Sequence, residues 1–324
     1  MNVKNTIYDL LLSFKSIIGI LISIIAIYFA FKDFQFLRFK EVLYEIKFIY
    51  VLIATLFLWF SVWLRGVRWR CLFKLESSPS VVSLYKAEMI GYFGNNILPL
   101  RFGELMRAYI ISKECSLSKG YVFGTVVLER VLDMICLLLL SFFLLILHPI
   151  EQELKINIIW WGSCTLLVVI IFWVMLQKLK TIQLNSIFFT SLNNIIEGLL
   201  AVKKRSVASI IIMSFLIWGI YLLDVYLLQC AFSFNLSFPQ VLLVLVLSSL
   251  AMAIPSAPGM VGTYHFAVKY VIVDLLGYTT YEGNAFAIIM HAYAFILFTF
   301  LGAYYFMKNQ LHRNAIDSIV IKND

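Results

Sequence analysis

The chain has 324 residues and a formal net charge of +8, with 62% hydrophobic and only 14% charged residues and a mean hydropathy of +0.92. A soluble domain is about half apolar and about a quarter charged. Lipid must therefore solvate most of the outer surface, which excludes a soluble enzyme. The five cysteines are scattered, with no CxxC pair and no histidine at ligand spacing, so we expect no metal and no cofactor.

Several apolar runs approach or reach the roughly 20 residues that a helix needs to cross a bilayer. The first, preceded by Lys4 and Lys15, could be mistaken for a secretory signal. No small-residue cleavage site follows it, so we predict a retained first span. The runs cover residues 17–31, 122–147, 158–176, 207–232 and 285–307.

Lysine and arginine gather in three stretches, which the positive-inside rule places in the cytoplasm. We therefore predict a multi-pass protein of the inner (plasma) membrane with both termini cytoplasmic. Residues 32–47 are the exception, because they carry four positive and three acidic residues and yet lie outside if the first span is real. The basic stretches are residues 65–119, 178–205 and 308–322, whereas the intervening connections 148–157, 233–240 and 277–284 hold only Lys155.

Two apolar segments are interrupted by helix breakers. Residues 81–98 lead into the breakers Pro99 and Gly103, and the short runs 241–254 and 264–276 are separated by a Pro/Gly-rich segment that begins at Pro255. Non-helical backbone at membrane depth is tolerated only where it is buried in protein or lines a wet cavity. We therefore predict two re-entrant hairpins that point inward.

The predicted fold is all-α, a polytopic membrane helix bundle with about six full spans and two re-entrant hairpins. Residues 1–312 form one domain, and 313–324 a short cytoplasmic tail. With hairpins, residues 1–150 and 151–312 form an inverted repeat, in which paired broken helices mark a transporter's central site. The alternative is that 241–254 and 264–276 are two short full spans, which gives eight spans. The charge pattern does not separate the two.

The first interruption is rich in polar side chains. If a helix begins after the proline, Arg101, Glu104 and Arg107 recur every three residues and share a face, so Glu104 can pair with one arginine and leave the other unbalanced. An unbalanced guanidinium matches phosphate oxygens, and a helix N-terminus also favours an anion. The amides of Asn95 and Asn96 complete this predicted binding segment. The alternative is a cytoplasmic loop with solvated charges.

Glu129, Arg130 and Asp133 lie inside the apolar run that ends at residue 147. Ionisable residues in a span are costly and by default mark function. Arg130 can pair with Asp133 within the helix; the alternative role is a structural clamp against residues 101–107. Asp224, alone in its span, is a candidate partner for an arginine of the first half.

Arg65 and Arg68 end the second span beside two tryptophans. They are either interfacial anchors or part of the substrate site. We predict that residues of the second interruption form a gate. His265 in this segment either carries a proton or has a packing role. The predicted gate residues are Pro99, Gly103, Pro255, Pro258, Gly259, Gly262 and His265.

At these residues the chain resembles, over nearly its whole length, the lysylphosphatidylglycerol synthase transmembrane region family, also called flippase-like. It departs from the family pattern at Met260, where a second glycine is common, and at His265, where glutamate is frequent. Only residues 308–324 follow the last span, so we expect no aminoacyl transferase domain. The resemblance is carried by 65–69, Asn96, Leu98, Pro99, Arg101, Gly103, Glu104, Arg107, Glu129, Arg130, Asp133, Pro255, Pro258, Gly259 and Gly262.

The resemblance implies a lipid translocase that moves an anionic phospholipid or a lipid-linked saccharide between leaflets, with Arg101 and Arg107 on the phosphate. We expect no enzymatic activity and no nucleic-acid partner. There is no GxxxxGK[ST] motif, so movement is ion-coupled or downhill. Two alternatives remain: a membrane-embedded glycosyl- or phospho-transferase with Glu104, Glu129 or Asp133 as general base, or a non-transporting envelope-complex anchor.

Overall fold

The computed structural model describes residues 14–32, 34–74, 78–147, 187–202, 206–254 and 256–323, with isolated helical positions between 156 and 174. This part of the chain is helical, and it contains no strand. The helices are α1 (Phe14–Phe31), α2 (Phe36–Glu45), α3 (Phe48–Cys71), α4 (Val81–Ile97), α5 (Gly103–Glu114), α6 (Lys119–Leu147), α7 (Ile187–Leu199), α8 (Val207–Ala231), α9 (Phe238–Ala253), α10 (Thr263–Lys269) and α11 (Thr280–Asn323).

Within the described residues, four helices are long and apolar enough to cross a membrane, namely α3, α6, α8 and residues Thr280–Gln310 of α11. Large apolar side chains on these helices are exposed, as lipid contact requires; Phe300 is 72% exposed. This confirms the all-α membrane bundle. The number of spans stays a prediction, since the predicted span at 158–176 lies largely outside the described residues.

Both interruptions in the apolar segments are confirmed as helix breaks. A 3₁₀ turn at Pro99–Arg101 separates α4 from α5, and a 3₁₀ turn at Pro258–Met260 precedes α10, which continues as a π-helical turn, Tyr270–Leu275. Leu100 and Arg101 both have left-handed backbone, with φ of 59° and 54°. Arg101 therefore precedes the helix, and the prediction that it shares a helical face with Glu104 and Arg107 was wrong.

Helices α4 and α5 form a tight hairpin. A Cβ added at Gly103 would overlap the carbonyl oxygen of Gly91 on α4, so only glycine allows this approach. The turns 99–101 and 258–260 contact each other. The two predicted hairpin breaks thus meet in space, whereas their status as re-entrant hairpins or short spans stays a prediction.

Two apolar cores flank the centre of the bundle. One gathers residues from α8 to α11 and reaches Ala54 of α3 and Leu144 of α6. The other joins α4, α5 and α7 to Trp69 of α3 and Val122 of α6. Helices α3 and α6 therefore run along both cores, and their charged residues lie close to where the cores meet.

Candidate functional site

Among the described residues, eight charged side chains from four helices converge in one group, which we call the ion cluster. It contains four arginines and four carboxylates, so its formal charges cancel. Burying charges in a low-dielectric interior is tolerated only when they are paired. The members are Arg65 and Arg68 on α3, Glu88 on α4, Glu104 and Arg107 on α5, and Glu129, Arg130 and Asp133 on α6.

Glu129 is the centre of the ion cluster and is fully buried. Its carboxylate lies 2.8 Å from Arg65 Nη1, 3.1 Å from Arg68 Nη2 and 2.9 Å from Arg107 Nη1. Three guanidinium groups from two helices therefore share one carboxylate of a third. Glu129 ties α3 and α5 to α6.

Asp133, one turn further along α6, balances the arginines of α3. It lies 3.0 Å from Arg65 and 2.8 Å from Arg68. The predicted intrahelical pair is present, with Arg130 Nη1 at 3.4 Å from Asp133. Arg130 also pairs with Glu104 at 3.1 Å, so the predicted clamp between α6 and the first hairpin exists.

Arg107 is the most fully engaged arginine of the hairpin. Its guanidinium pairs with Glu104 at 2.6 Å and also with Glu88 and Glu129. Its Cζ lies 4.8 Å from the ring centroid of Trp69, in cation–π geometry. Arg107 is 1% exposed, so in this structure it presents no free guanidinium to a phosphate, contrary to the prediction.

Arg65 and Arg68 are not interfacial anchors, since they are 4% and 0% exposed. Besides the carboxylates, Arg65 Nε donates to Tyr221 Oη at 2.7 Å, and Arg68 Nη1 donates to Ser214 Oγ at 3.2 Å. Both arginines thereby join α3 to α8. Arg65 and Arg68 therefore lie in the ion cluster, where their charges are paired, and not at an exposed substrate-binding surface.

Arg101 has a different environment from the clustered arginines. It is exposed, and within the described residues it forms no ion pair with a carboxylate. Its Nη2 donates to the carbonyl of Met252, in the last turn of α9, where unpaired carbonyls and the helix dipole favour a cation. Arg101 therefore reaches from the first break to the segment before the second.

Hydrogen bonds connect α11 to residues at both breaks. Asn96 Nδ2 donates to Thr299 Oγ1 at 2.9 Å and to the Phe295 carbonyl at 3.3 Å. His291 Nε2 lies 2.8 Å from the carbonyl oxygen of Gly259, within hydrogen-bonding distance. Asn95, by contrast, has a buried Oδ1 that finds no hydrogen-bond partner among the described residues.

The predicted residues of the second gate occupy the break and the start of α10. Gly259 and Gly262 have φ of 67° and 97°, which favours glycine at both. The His265 ring is buried, with its centroid 4.7 Å from that of His291. Pro258 opens the 3₁₀ turn, and Pro255 lies outside the described residues.

Among the described residues, Asp224 pairs with no arginine, so that prediction was wrong. The residue is 3% exposed, and neither carboxylate oxygen has a hydrogen-bond partner among the residues that the structure describes. Its span brings Ser214 and Tyr221 to the arginines of α3 instead.

Glu88, a 1% exposed member of the ion cluster, was not predicted from the sequence. The signal was present, because Glu88 is a lone carboxylate inside the apolar segment 81–98, and such residues by default mark function. His291 and Tyr221 were also missed, since each is an isolated polar residue in a long apolar helix.

Comparisons with known proteins agree with this architecture. Residues 16–302 match the family model described as "Lysylphosphatidylglycerol synthase TM region". The chain is 32% identical to the UPF0104 membrane protein MJ1078 of Methanocaldococcus jannaschii over 184 residues, which cover 56% of this chain and 79% of that protein. It is 28% identical to the UPF0104 membrane protein PH1989 of Pyrococcus horikoshii over 246 residues, covering 66% and 73% respectively.

No solved structure matches the chain significantly. The family match covers well over half of the sequence and includes every described residue of the ion cluster and both helix breaks. The resemblance inferred from the motifs is thereby confirmed. This chain is an integral membrane protein of the lysylphosphatidylglycerol synthase transmembrane region family.

Proposed function

We propose that this protein is a lipid translocase that moves a phosphate-bearing lipid or lipid-linked saccharide between the two leaflets of a membrane. The observation that carries the proposal is the position of Arg101. It is an exposed guanidinium without a carboxylate partner among the described residues, and it lies where two helix breaks meet.

Charge balance favours an anionic ligand at this place. The four arginines and four carboxylates of the ion cluster cancel, so Arg101 leaves the group with one surplus positive charge. A lipid phosphodiester carries one negative charge and restores neutrality. Guanidinium is suited to it, because its planar fork binds two phosphate oxygens at once.

Arg130 provides a second contact for the phosphate. It is the most exposed arginine of the ion cluster, with 31% of its side chain accessible, and it interacts electrostatically with Arg101. A phosphate held by Arg101 and Arg130 would displace Glu104 from Arg130. Glu104 would retain its 2.6 Å pair with Arg107, so no carboxylate loses all its partners.

The two breaks act as gates in this proposal. Discontinuous helices that meet near the centre of a bundle are typical of secondary transporters, in which the substrate binds between them. The bonds Asn96–Thr299 and His291–Gly259 fasten both breaks to α11. Breaking one of these two hydrogen bonds at a time would open the lipid site to one leaflet at a time. The basic loops and termini face the cytoplasm in the proposed plasma-membrane orientation.

The ion pairs favour transport over the transferase alternative. Each of Glu104, Glu129 and Asp133 contacts at least two arginines. A carboxylate held in this way is a poor general base, because accepting a proton would break its pairs. We therefore propose structural and gating roles for these carboxylates, and no catalytic role.

The test is movement of a fluorescent anionic phospholipid in proteoliposomes, read as the fraction that an impermeant quencher reaches over time. Wild-type protein should move the lipid. Arg101→Ala should reduce the rate at least tenfold, and Arg101→Lys should restore only part of it, since lysine keeps the charge and loses the fork.

The matched control is Arg70→Ala, which removes an exposed arginine at the end of α3. Its rate should equal that of wild type. Folded wild-type protein that moves no anionic or lipid-linked substrate, or an Arg101→Ala protein as fast as wild type, would contradict the proposal. An anchor protein, in particular, should tolerate Arg101→Ala.

A further inference from the structure

Asp224 is a buried carboxyl group that the ion cluster does not use. It lies within α8, one of the four helices suited to cross a membrane, and is 3% exposed. Neither oxygen has a hydrogen-bond partner in the described part of the chain. An ionised carboxylate without a cation or donor is costly in such a place, so the neutral acid is the form that this environment accommodates.

Among the described residues, the groups around Asp224 are hydroxyls, not charges. Tyr264 of α10 and Tyr293 of α11 interact with it electrostatically, and Tyr221 precedes it by one turn on α8. Helix α9, which packs against α8, carries no titratable side chain between residues 238 and 253. Arg65 and Arg68 of α3 are paired with Glu129 and Asp133 of α6 in the ion cluster.

Residues near Asp224 connect to both the ion cluster and the second break. On one side, Tyr221 accepts the 2.7 Å hydrogen bond from Arg65. On the other side, the Tyr264 ring lies 5.2 Å from the His291 ring, and His291 contacts the Gly259 carbonyl in the break. A change of charge at Asp224 would therefore alter the electrostatic potential at both the arginines and the gate.

We propose that Asp224 is a proton-binding site through which a proton gradient drives the lipid movement proposed above. The inference rests on that function. The step is a protonation alone: a water-borne proton adds to a carboxylate oxygen in the state that opens to one side and leaves to water in the other state. Movement of the gate changes access to the carboxyl group, and this change links the proton to the lipid.

A proton fits this site better than a metal ion does. Among the described residues, no group of three or more His, Cys, Asp and Glu side chains could hold a metal. A metal ion needs several oxygen or nitrogen ligands at short distance, whereas a proton needs one carboxylate oxygen. The carboxyl group of Asp224 alone provides that.

The first experiment reads protonation without lipid movement. Dicyclohexylcarbodiimide is an apolar reagent that adds to protonated carboxyl groups. Purified wild-type protein in lipid nanodiscs is treated with the reagent at pH 6 and pH 8. The protein is then digested, and the masses of its peptides are measured by mass spectrometry. The peptide with Asp224 should gain the reagent, more at pH 6 than at pH 8, and Asp224→Asn should abolish this gain.

Internal controls come from the same sample. Peptides with Glu129 and Asp133 should stay unmodified, because those carboxylates are paired with arginines. Absence of modification at Asp224 would overturn the proton site, whether or not lipid moves. Equal modification at both pH values would also overturn it, because a permanently neutral acid cannot carry a proton across.

The second experiment tests whether a proton gradient is coupled to lipid movement. Proteoliposomes with and without an imposed pH gradient should show different rates of anionic phospholipid movement with wild-type protein. With Asp224→Asn, an isosteric and permanently neutral variant checked for folding, the two rates should be equal. A gradient response that survives in Asp224→Asn overturns the coupling. Modification of Asp224 in a protein that moves no lipid would overturn the translocation proposal, and with it the coupling, but would leave the proton site.

Discussion

We predict that neutralising Glu129, the central carboxylate of the ion cluster, destabilises the protein strongly. Glu129→Gln keeps the shape of the side chain and removes its charge. Three guanidiniums, those of Arg65, Arg68 and Arg107, lie 2.8–3.1 Å from Glu129, and each would lose part of its compensation inside a buried group. Breaking a buried ion pair in this way costs roughly 3–5 kcal/mol of unfolding free energy.

A second substitution tests whether charge balance is the cause. Arg68→Gln alone should also destabilise, since it leaves Asp133 and Glu129 with one cation fewer. The double variant removes one positive and one negative charge, so it should be more stable than the sum of the single effects by roughly 1–3 kcal/mol. Unfolding free energies in mixed detergent micelles, measured by circular dichroism during a denaturing-detergent titration, provide the comparison.

The matched control is a carboxylate in an exposed ion pair. Glu197 pairs with Lys74, and both side chains are about half exposed, at 50% and 48%. Glu197→Gln should change the unfolding free energy by less than about 1 kcal/mol, because water solvates both charges. Additive effects of Glu129→Gln and Arg68→Gln, or a loss at Glu197 as large as at Glu129, would refute the reasoning from buried charge balance.

Two further predictions concern packing and orientation. Gly103→Ala should lower the unfolding free energy by roughly 1–3 kcal/mol, because its Cβ meets the Gly91 backbone; Gly219→Ala, whose Cβ meets nothing within 4 Å, should be neutral or slightly stabilising in the same titration. Tyr221→Phe should cost roughly 1.5–3 kcal/mol, since it removes the acceptor of a charged hydrogen bond from Arg65, and an unchanged unfolding curve would remove Tyr221 from the cluster's support.

The parts of the fold that depend on composition and helix breakers could be predicted from the sequence. The predicted apolar runs locate α6, α8 and α11, because burial in lipid leaves few charges in a span. The prolines and glycines at residues 99–103 and 258–262 locate the breaks, because these residues change the backbone locally. The contact between the two breaks depends on tertiary packing, and periodicity does not show it.

Pairing between distant charges could not be read from the sequence. Arg65 and Arg68 stand at the end of an apolar run, where anchors are common, and only the approach of α6 shows that Glu129 and Asp133 meet them. Asp224 shows the opposite error. It was predicted to pair because an isolated carboxylate in a span needs a partner, yet Ser214 and Tyr221 of the same helix make the contacts with α3.

Recognition of phosphate by Arg101 is tested most directly by comparing two lipids in the same vesicles. A fluorescent anionic phospholipid and a phosphate-free glycolipid with the same chains and fluorophore are followed with wild-type and Arg101→Ala protein. Wild-type protein should move the phospholipid at least tenfold faster than the glycolipid, and Arg101→Ala should abolish that preference. Equal rates for the two lipids with wild-type protein, or a preference that survives Arg101→Ala, would contradict the central role of Arg101.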